Sequence, residues 1–305
     1  MNEYRITVSE DNENERIDRL VCDELADLSR SYIQKLIEDN NITVSGRHIK
    51  ASYRVRKDDV ITVITPDSVI PDILPEDIPL DILYEDDDVL VVNKPKGMVV
   101  HPAPGHYEHT LVNAVMYHCK GGLSGINGIL RPGIVHRIDK DTTGSVLICK
   151  NDLSHEKIAK QLEEHSIKRE YLAIVTGVLA ENEGTIDMPI ARSTSDRKKM
   201  AVTPGGKRAV THYEVVKHLS SFTLVRCRLE TGRTHQIRVH MASIGHPVAG
   251  DIVYGSRAKT PVDTQGQALH AHILGFVHPR NGLFIETVAP VPEYFEKFIK
   301  RCEKV

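Results

Sequence analysis

The chain has 305 residues, 40% of them hydrophobic and 27% charged, with a formal net charge of −3 and a pI near 6.6. That length exceeds an ordinary single domain, so a main body with a smaller module is expected, and no apolar run approaches the ~20 residues that span a bilayer. The charge balance argues against a broad basic surface for nucleic acid, so any such partner has to be met by local clusters.

The opening Met1-Asn2-Glu3-Tyr4-Arg5 lacks the basic-then-apolar layout of a signal peptide. Cys22, Cys119, Cys149, Cys227 and Cys302 are odd in number and scattered, which fits reduced thiols in a cytoplasm better than a disulfide framework. The expected location is cytoplasmic, with no membrane partner.

Arg16-Ile17-Asp18-Arg19-Leu20 opens a short amphipathic helix that runs through Leu25. Ser29 is placed to cap a second helix with Ile33, Leu36 and Ile37 on one face and Arg30, Gln34 and Lys35 toward solvent; Asn40 and Asn41 stop it. Ile42-Thr43-Val44-Ser45-Gly46 reads as a strand entering a turn, and Val60-Ile61-Thr62-Val63-Ile64 as its return. Between them lie the basic stretches Arg47-His48-Ile49-Lys50 and Arg54-Val55-Arg56-Lys57. Residues 66–80 carry Pro66, Pro71, Pro75 and Pro79. Proline lacks an amide donor and disfavours helix at the residue before it, so this is an extended connector between a module, 1–65, and a body, 81–305.

In the body, Val89-Leu90-Val91-Val92 reads as a buried strand ending in Asn93-Lys94-Pro95-Lys96-Gly97. A helix starts near Asp152 and carries Leu153, Ile158 and Leu162 inward; Tyr171–Val175 and Phe222–Val225 are strand-like. Arg192, Arg197, Lys198, Lys199, Lys207 and Arg208 form a second basic region with Asp196 as its one acid. Pro292 opens a terminal helix that packs Phe295, Phe298 and Ile299 back. Strands are not regularly interleaved with helices, which predicts an α+β fold with a mixed sheet.

Three segments carry chemistry. His136-Arg137-Ile138-Asp139-Lys140-Asp141-Thr142-Thr143-Gly144 sets Asp139 between a cation and a hydroxyl-and-glycine turn, before the apolar run Ser145–Cys149. An acid there can serve as nucleophile or base, although a lone Asp commonly only shapes its turn. In Glu230–His240, extended backbone after Gly232 would put Thr234, Gln236, Arg238 and His240 on one face, and Arg233, His235, Ile237 and Val239 on the other. A guanidinium on the inner face can reach a core carboxylate and keep it ionised and nucleophilic. In Lys168–Ala173, Tyr171 starts an apolar strand after two cations, as a core aromatic or as a platform for a planar base. His101, His106 and His109 match neither metal spacing H-E-x-x-H nor a CxxC pair, and Pro102, Pro104 and Gly105 make that stretch a loop. Asp141 reads as an exposed turn residue rather than the second carboxylate of a glycosidase.

HRIDKDTTG, KREYLAIVTG and LETGRTHQIRVH, preceded by NKPKGMVVHPAPGH, make the body resemble the RluA-type RNA pseudouridine synthases. RIDRL, SRSYIQKLI, ITVSG and DDVITV make the module resemble the S4 RNA-binding domain. The combination is most similar to RluD-type enzymes acting on bacterial large-subunit ribosomal RNA. Ile138 stands where the family usually has Leu, and Thr143 where Ser is common; both keep the side-chain class.

The resemblance implies a mixed, largely antiparallel catalytic sheet, pseudouridine synthase activity, and neither cofactor nor metal. It implies Asp139 as nucleophile, attacking ribose C1′ or uracil C6, with Tyr171 as its aromatic partner. Arg238 would be its arginine, with Arg233 the open alternative. Arg137 would fill the gap left by the target nucleotide. Arg233, His235, Gln236 and Lys94 would contact RNA, joined by Arg30 and Lys35 from the module. Ribosomal RNA or a pre-ribosomal particle is the implied partner, and a monomer the default state. The competing readings are a non-catalytic RNA-binding or ribosome-assembly factor, which would not need Asp139, Tyr171 and Arg238 together, and the same reaction on tRNA or small-subunit RNA.

Overall fold

Buried apolar side chains segregate into sets that never mix residues from the two ends of the chain. The chain accordingly divides into units Met1–Pro71 and Asp72–Val305. The computed structural model describes residues 2–66, 73–102, 106–128, 131–196, 199–255 and 259–303. Part of the proline-rich connector, residues 67–72, lies outside them, as do Pro104, Gly105, Arg197 and Lys198. Among the described residues no helix is long and apolar enough to cross a membrane.

The N-terminal unit contains β1 (Asn2–Thr7), α1 (Ile17–Glu24), α2 (Arg30–Glu38), β2 (Ile42–Val44), β3 (Arg47–His48) and β4 (Val60–Thr65). Its strands pair antiparallel in the order β1-β4-β2-β3. The Ser29 hydroxyl accepts the Tyr32 amide at 3.3 Å and caps α2. Ile33, Leu36 and Ile37 then fall on one helical face and meet Ile17, Leu20 and Val21 of α1. Ile42, Val44, Ile61 and Val63, at alternate strand positions, complete this core.

Gln34 departs from the expectation that it points to water, and Arg30, though half exposed, turns its guanidinium inward as well. Both turn onto Asp18, which accepts from Arg30 at 3.0 Å, Gln34 at 2.9 Å and Arg16 at 3.0 Å. A buried carboxylate attracts every donor within reach. Burial alone would raise its pKa, but the bonds from Arg16, Gln34 and Arg30 hold it at about 2. The carboxylate thus ties α1 to α2, while Lys35 stays exposed.

The larger unit holds β5 (Ile82–Glu85), β6 (Val89–Lys94), α3 (Leu111–Cys119), β7 (Thr143–Cys149), α4 (Asp152–Glu163), β8 (Lys168–Thr176), β9 (Glu183–Asp187), β10 (Ile190–Arg192) and β11 (Met200–Val202). It continues with β12 (Val210–His218), β13 (Phe222–Leu229), α5 (Gln236–Ser243), β14 (Leu269–Val277), β15 (Phe284–Val288) and α6 (Glu293–Glu303). Among the described residues the main sheet runs β5-β6-β7-β14-β8-β13-β12-β9, with β15 also on β14, and β10 pairs separately with β11.

Every neighbouring pair is antiparallel except β7 and β14, which run parallel at His270↔Thr143 and Ala271↔Gly144. Gly144 has φ +109°, and a Cβ on it would lie 2.2 Å from the Ala271 carbonyl, so this junction admits only glycine. Beyond it β15 takes over the same edge of β14. The architecture is α+β with a mixed, largely antiparallel sheet.

Helices cover both faces. Alternation along β6 and β7 sends Leu90, Val92, Val146 and Ile148 toward α3, and Val89, Val91, Leu147 and Cys149 toward Ile158 of α4. Farther along, α5 packs Ile237 and Met241 on Ala173, Val175 and Val225. On the other side α6 packs Phe295 and Phe298 on Leu172, Ile174 and Leu224. Tyr171 lies at the seam, touching the cores under both α3 and α5. Leu153 corrects the reading of α4: it is 46% exposed. It stands five residues before Ile158, about 140° round the helix from the buried stripe.

Removing the carboxylate in Asp18→Ala should cost the N-terminal unit about 2 kcal/mol, the scale of hydrogen bonds to a charged group. Hydrogen exchange at the Ile33 and Leu36 amides reads this directly, and unchanged protection there would refute the tie.

Candidate active site

The turn before β7 is fixed by backbone bonds. The Thr142 amide donates to the Asp139 carbonyl at 3.1 Å, and the Gly97 amide to the Lys140 carbonyl at 3.0 Å. Lys94 adds a third tie. Its ammonium donates to the carbonyls of Lys140 (3.0 Å), Pro95 (2.8 Å) and Met98 (2.8 Å). Expected to reach RNA, Lys94 is instead 1% exposed and staples the Asn93–Gly97 turn to the Asp139 turn. Burial pulls its pKa down to about 7, opposed by Asp141 and Asp139.

The segment after Gly232 is also corrected. It turns at His235, whose φ of +56° is left-handed, and continues as helix α5 rather than as a strand. Alternation mispredicted it because polar side chains here point inward and find partners. The Gln236 carbonyl accepts from the Thr231 hydroxyl (2.7 Å) and the Arg233 amide (2.9 Å), and its NH2 donates to the Val210 carbonyl (2.9 Å). Expected to contact RNA, Gln236 is instead 3% exposed, with its carbonyl and its NH2 both taken by these bonds.

From α5, Arg238 Nη1 donates to Asp139 Oδ2 at 2.8 Å. Arg233 lines the same cavity, but its Nε donates to the Arg208 carbonyl at 2.9 Å. The other edge of the Arg238 guanidinium forks onto Asp251, Nε to Oδ2 at 2.6 Å and Nη2 to Oδ1 at 3.0 Å. Asp251 is fully enclosed while Asp139 keeps 19% of its side-chain surface. Asp251 Oδ1 also accepts the Val253 and Tyr254 amides at 2.8 and 3.1 Å. Burial would lower the Arg238 pKa, but Asp251 and Asp139 together raise it above the ordinary value, so the cation is permanent. Burial works in the opposite sense on Asp251, and Arg238 brings it below the usual carboxylate range.

The other oxygen of Asp139 faces His235 Nε2 at 3.7 Å. His235 Nδ1 shares a 2.7 Å hydrogen bond with the Tyr254 hydroxyl, and burial lowers its pKa. Tyr171, Arg169 and Asp139 line one cavity of about 540 Å³ with Arg238 and His235. Burial raises the Tyr171 phenol above its ordinary range, so the hydroxyl stays protonated. Arg137, also at the cavity, is exposed and donates to His101 Nε2 at 3.3 Å. His109, another histidine of that stretch, pairs with Glu76 at 2.6 Å. Arg30 and Lys35 belong to the other unit.

Sequence reasoning passed over Asp251, Tyr254 and Arg169, and weighed His101 only as a metal ligand. Strand parity with Tyr171 could have marked Arg169. No spacing marked Asp251 as the second acid on Arg238.

Comparison with known proteins places this geometry. Residues 88–243 match the RNA pseudouridylate synthase family and residues 15–61 the S4 domain. The chain belongs to the RNA pseudouridylate synthase family. An uncharacterized RNA pseudouridine synthase, YlyB, of Bacillus subtilis (strain 168) is 52% identical over 304 residues, covering 100% of this chain and 99% of the relative. The ribosomal large subunit pseudouridine synthase D of Zymomonas mobilis is 45% identical, covering 97% of this chain and 96% of its own length. Among solved structures, human RNA pseudouridylate synthase domain containing 1 superposes with a TM-score of 0.57 at 26% identity, over 70% of this chain and 83% of that one. The synthase body therefore carries its family's sheet, and the N-terminal unit is an S4 domain.

Asp251→Ala should destabilise the synthase by about 3–5 kcal/mol, the cost of breaking a buried ion pair; a urea-unfolding free energy equal to wild type would refute this. Acid should also weaken the fold. Burial holds His270 and His136 near pKa 4, below the unfolded value of 6.5. Between those values the unfolded chain binds protons that the folded chain refuses, so stability falls as pH drops from 6.5 toward 4. His270 alone should cost on the order of 2 kcal/mol at pH 5. Unfolding free energies measured at pH 7 and pH 5 should differ by at least that amount.

Proposed function

We propose that this synthase converts uridine to pseudouridine in bacterial large-subunit ribosomal RNA, free or within a pre-ribosomal particle, with Asp139 as the nucleophile. The target class is supported by relatives named ribosomal large subunit pseudouridine synthase D, at 45% identity in Zymomonas mobilis and 42% in Vibrio vulnificus. The nucleophile is supported by one observation above all: a partly open carboxylate, held 2.8 Å from a buried guanidinium, on the wall of a cavity it shares with Tyr171. The cavity, at about 540 Å³, is within the range of small-molecule sites and so can take one extruded nucleoside.

The reaction breaks the bond from ribose C1′ to uracil N1, turns the base, and joins C1′ to C5; the C5 proton leaves and N1 gains one. No electrons enter or leave. The base first has to be drawn from its stack, at a cost of a few kcal/mol. Arg137, exposed beside the cavity, fills the space it vacates and contacts phosphate. Asp139 then attacks C1′ or C6, held and oriented by the Arg238 guanidinium at 2.8 Å. Tyr171 stacks on the base with its protonated hydroxyl near C5.

Residues 1–65 serve as the RNA-binding module, with Arg30 and Lys35 as contacts, 66–80 as connector and 81–305 as catalytic body. Arg233 and His235 add contacts at the cavity. One chain supplies Asp139, Tyr171 and Arg238, so a monomer suffices. The unpaired cysteines suit the cytoplasm.

Asp139→Asn should abolish tritium release from RNA labelled at uracil C5 while RNA binding persists; undiminished release would remove Asp139 from its role. Carbodiimide-dependent primer extension across ribosomal RNA, in cells with and without the protein, should show stops lost from large-subunit RNA. Loss confined to tRNA or small-subunit RNA would reassign the substrate.

A further inference from the structure

Alternation on β8 sorts its charges. Lys168 and Glu170 share one face, where Lys168 pairs with Glu170 at 3.4 Å and Glu286 at 3.0 Å, and Glu170 with Arg226 at 3.8 Å. Arg169 and Tyr171 share the other and line the cavity of Asp139. Arg169 is 7% exposed, yet among the described residues no carboxylate lies within ion-pair distance of it. Its Nη2 donates to the Glu230 carbonyl at 2.9 Å, and its Nε is buried without any partner. The nearby charge is no help: Arg233 repels it, and the neighbouring His136 is neutral.

A buried guanidinium without a counter-charge is costly, and proteins rarely keep one. Here the chain makes room for it. A Cβ on Gly232 would lie 2.7 Å from Arg169 Nη1, so any larger residue would displace the guanidinium. The missing partner has to be an anion with acceptor oxygens that enters the cavity from outside. A uracil carbonyl would supply an acceptor but no charge. A ribose seated against Asp139 brings its phosphodiesters with it.

We propose that Arg169 is a phosphate-binding residue of the active site, whose charge is matched only when a phosphate flanking the extruded uridine occupies the cavity. This rests on the cavity being the uridine site. It adds a contact inside the pocket to those at its mouth, and it makes correct seating of the backbone, beyond the base alone, a condition of a matched site.

The test uses the shortest stem-loop that the full-length wild-type enzyme converts, synthesised with a neutral methylphosphonate at the 5′ or the 3′ phosphate of the target uridine. Wild type should lose roughly 10- to 100-fold in affinity at one of the two positions. Arg169→Gln should show a similar loss on the natural backbone and less than about twofold further loss with that methylphosphonate. A variant as sensitive as wild type at both positions, or a wild type indifferent at both, would overturn the proposal. Arg169→Lys keeps the buried charge and serves where the glutamine variant fails to fold; it should remain sensitive at the same phosphate and no other, and equal sensitivity at both would count against the assignment. Pseudouridine formation by wild type on the natural stem-loop checks the uridine site separately, so that reading can fail or stand without this one.

Discussion

One guanidinium shared unequally between two carboxylates organises the site. Asp251 takes the fork of Arg238 and is enclosed, with two backbone amides completing its acceptors. Asp139 takes the remaining Nη1 and stays partly open. Burying such a set gains little net stability, because desolvation cancels most of the attraction. What it supplies is position. With the fork locked from behind, Arg238 cannot swing, and Asp139 can hold only one orientation toward the cavity. One oxygen is held by the guanidinium while the other faces His235 across the cavity that both residues line.

The scaffold brings the Asp139 turn and Tyr171 together through the one parallel pairing among the described strands of the main sheet. The parallel meeting of β7 and β14 at Gly144 sets the Asp139 turn beside the strand that neighbours β8, and so beside Tyr171. Lys94 then ties that turn to the loop after β6 with three carbonyl bonds. Packing does the rest. Tyr171 lies where the cores under α3 and α5 meet, which leaves a seam in the apolar layer wide enough for a cavity.

Much of the fold was legible along the chain. The S4 helices announce themselves through Ile33, Leu36 and Ile37 at helical spacing behind the Ser29 cap, and β6 and α6 through their apolar runs. The segment Gln236–Ser243 was not legible, because its buried stripe includes Gln236, Arg238 and His240, residues whose inward placement depends on distant partners. The motif resemblance points to Arg238, but the strand geometry that favours it over Arg233 does not exist, and it reaches Asp139 from a helix instead. Leu153 shows the converse error, an apolar side chain assigned to a core that its helical phase cannot reach.

Local chemistry therefore belonged to the sequence: helix caps, turn glycines, the alternation that aligns Arg169 with Tyr171, and the motif that marks Asp139. Those features depend on residues a few positions apart, so they can be read without a fold. Which cation meets which acid was decided only in three dimensions. Lys94, Arg169 and Arg238 all stand in basic motifs, yet one binds carbonyls, one has no counter-charge among the described residues and one bridges two carboxylates. The bond from Arg238 to Asp139 spans 99 positions of chain. Burial and pairing at that separation follow from how the layers pack, and no local pattern encodes them.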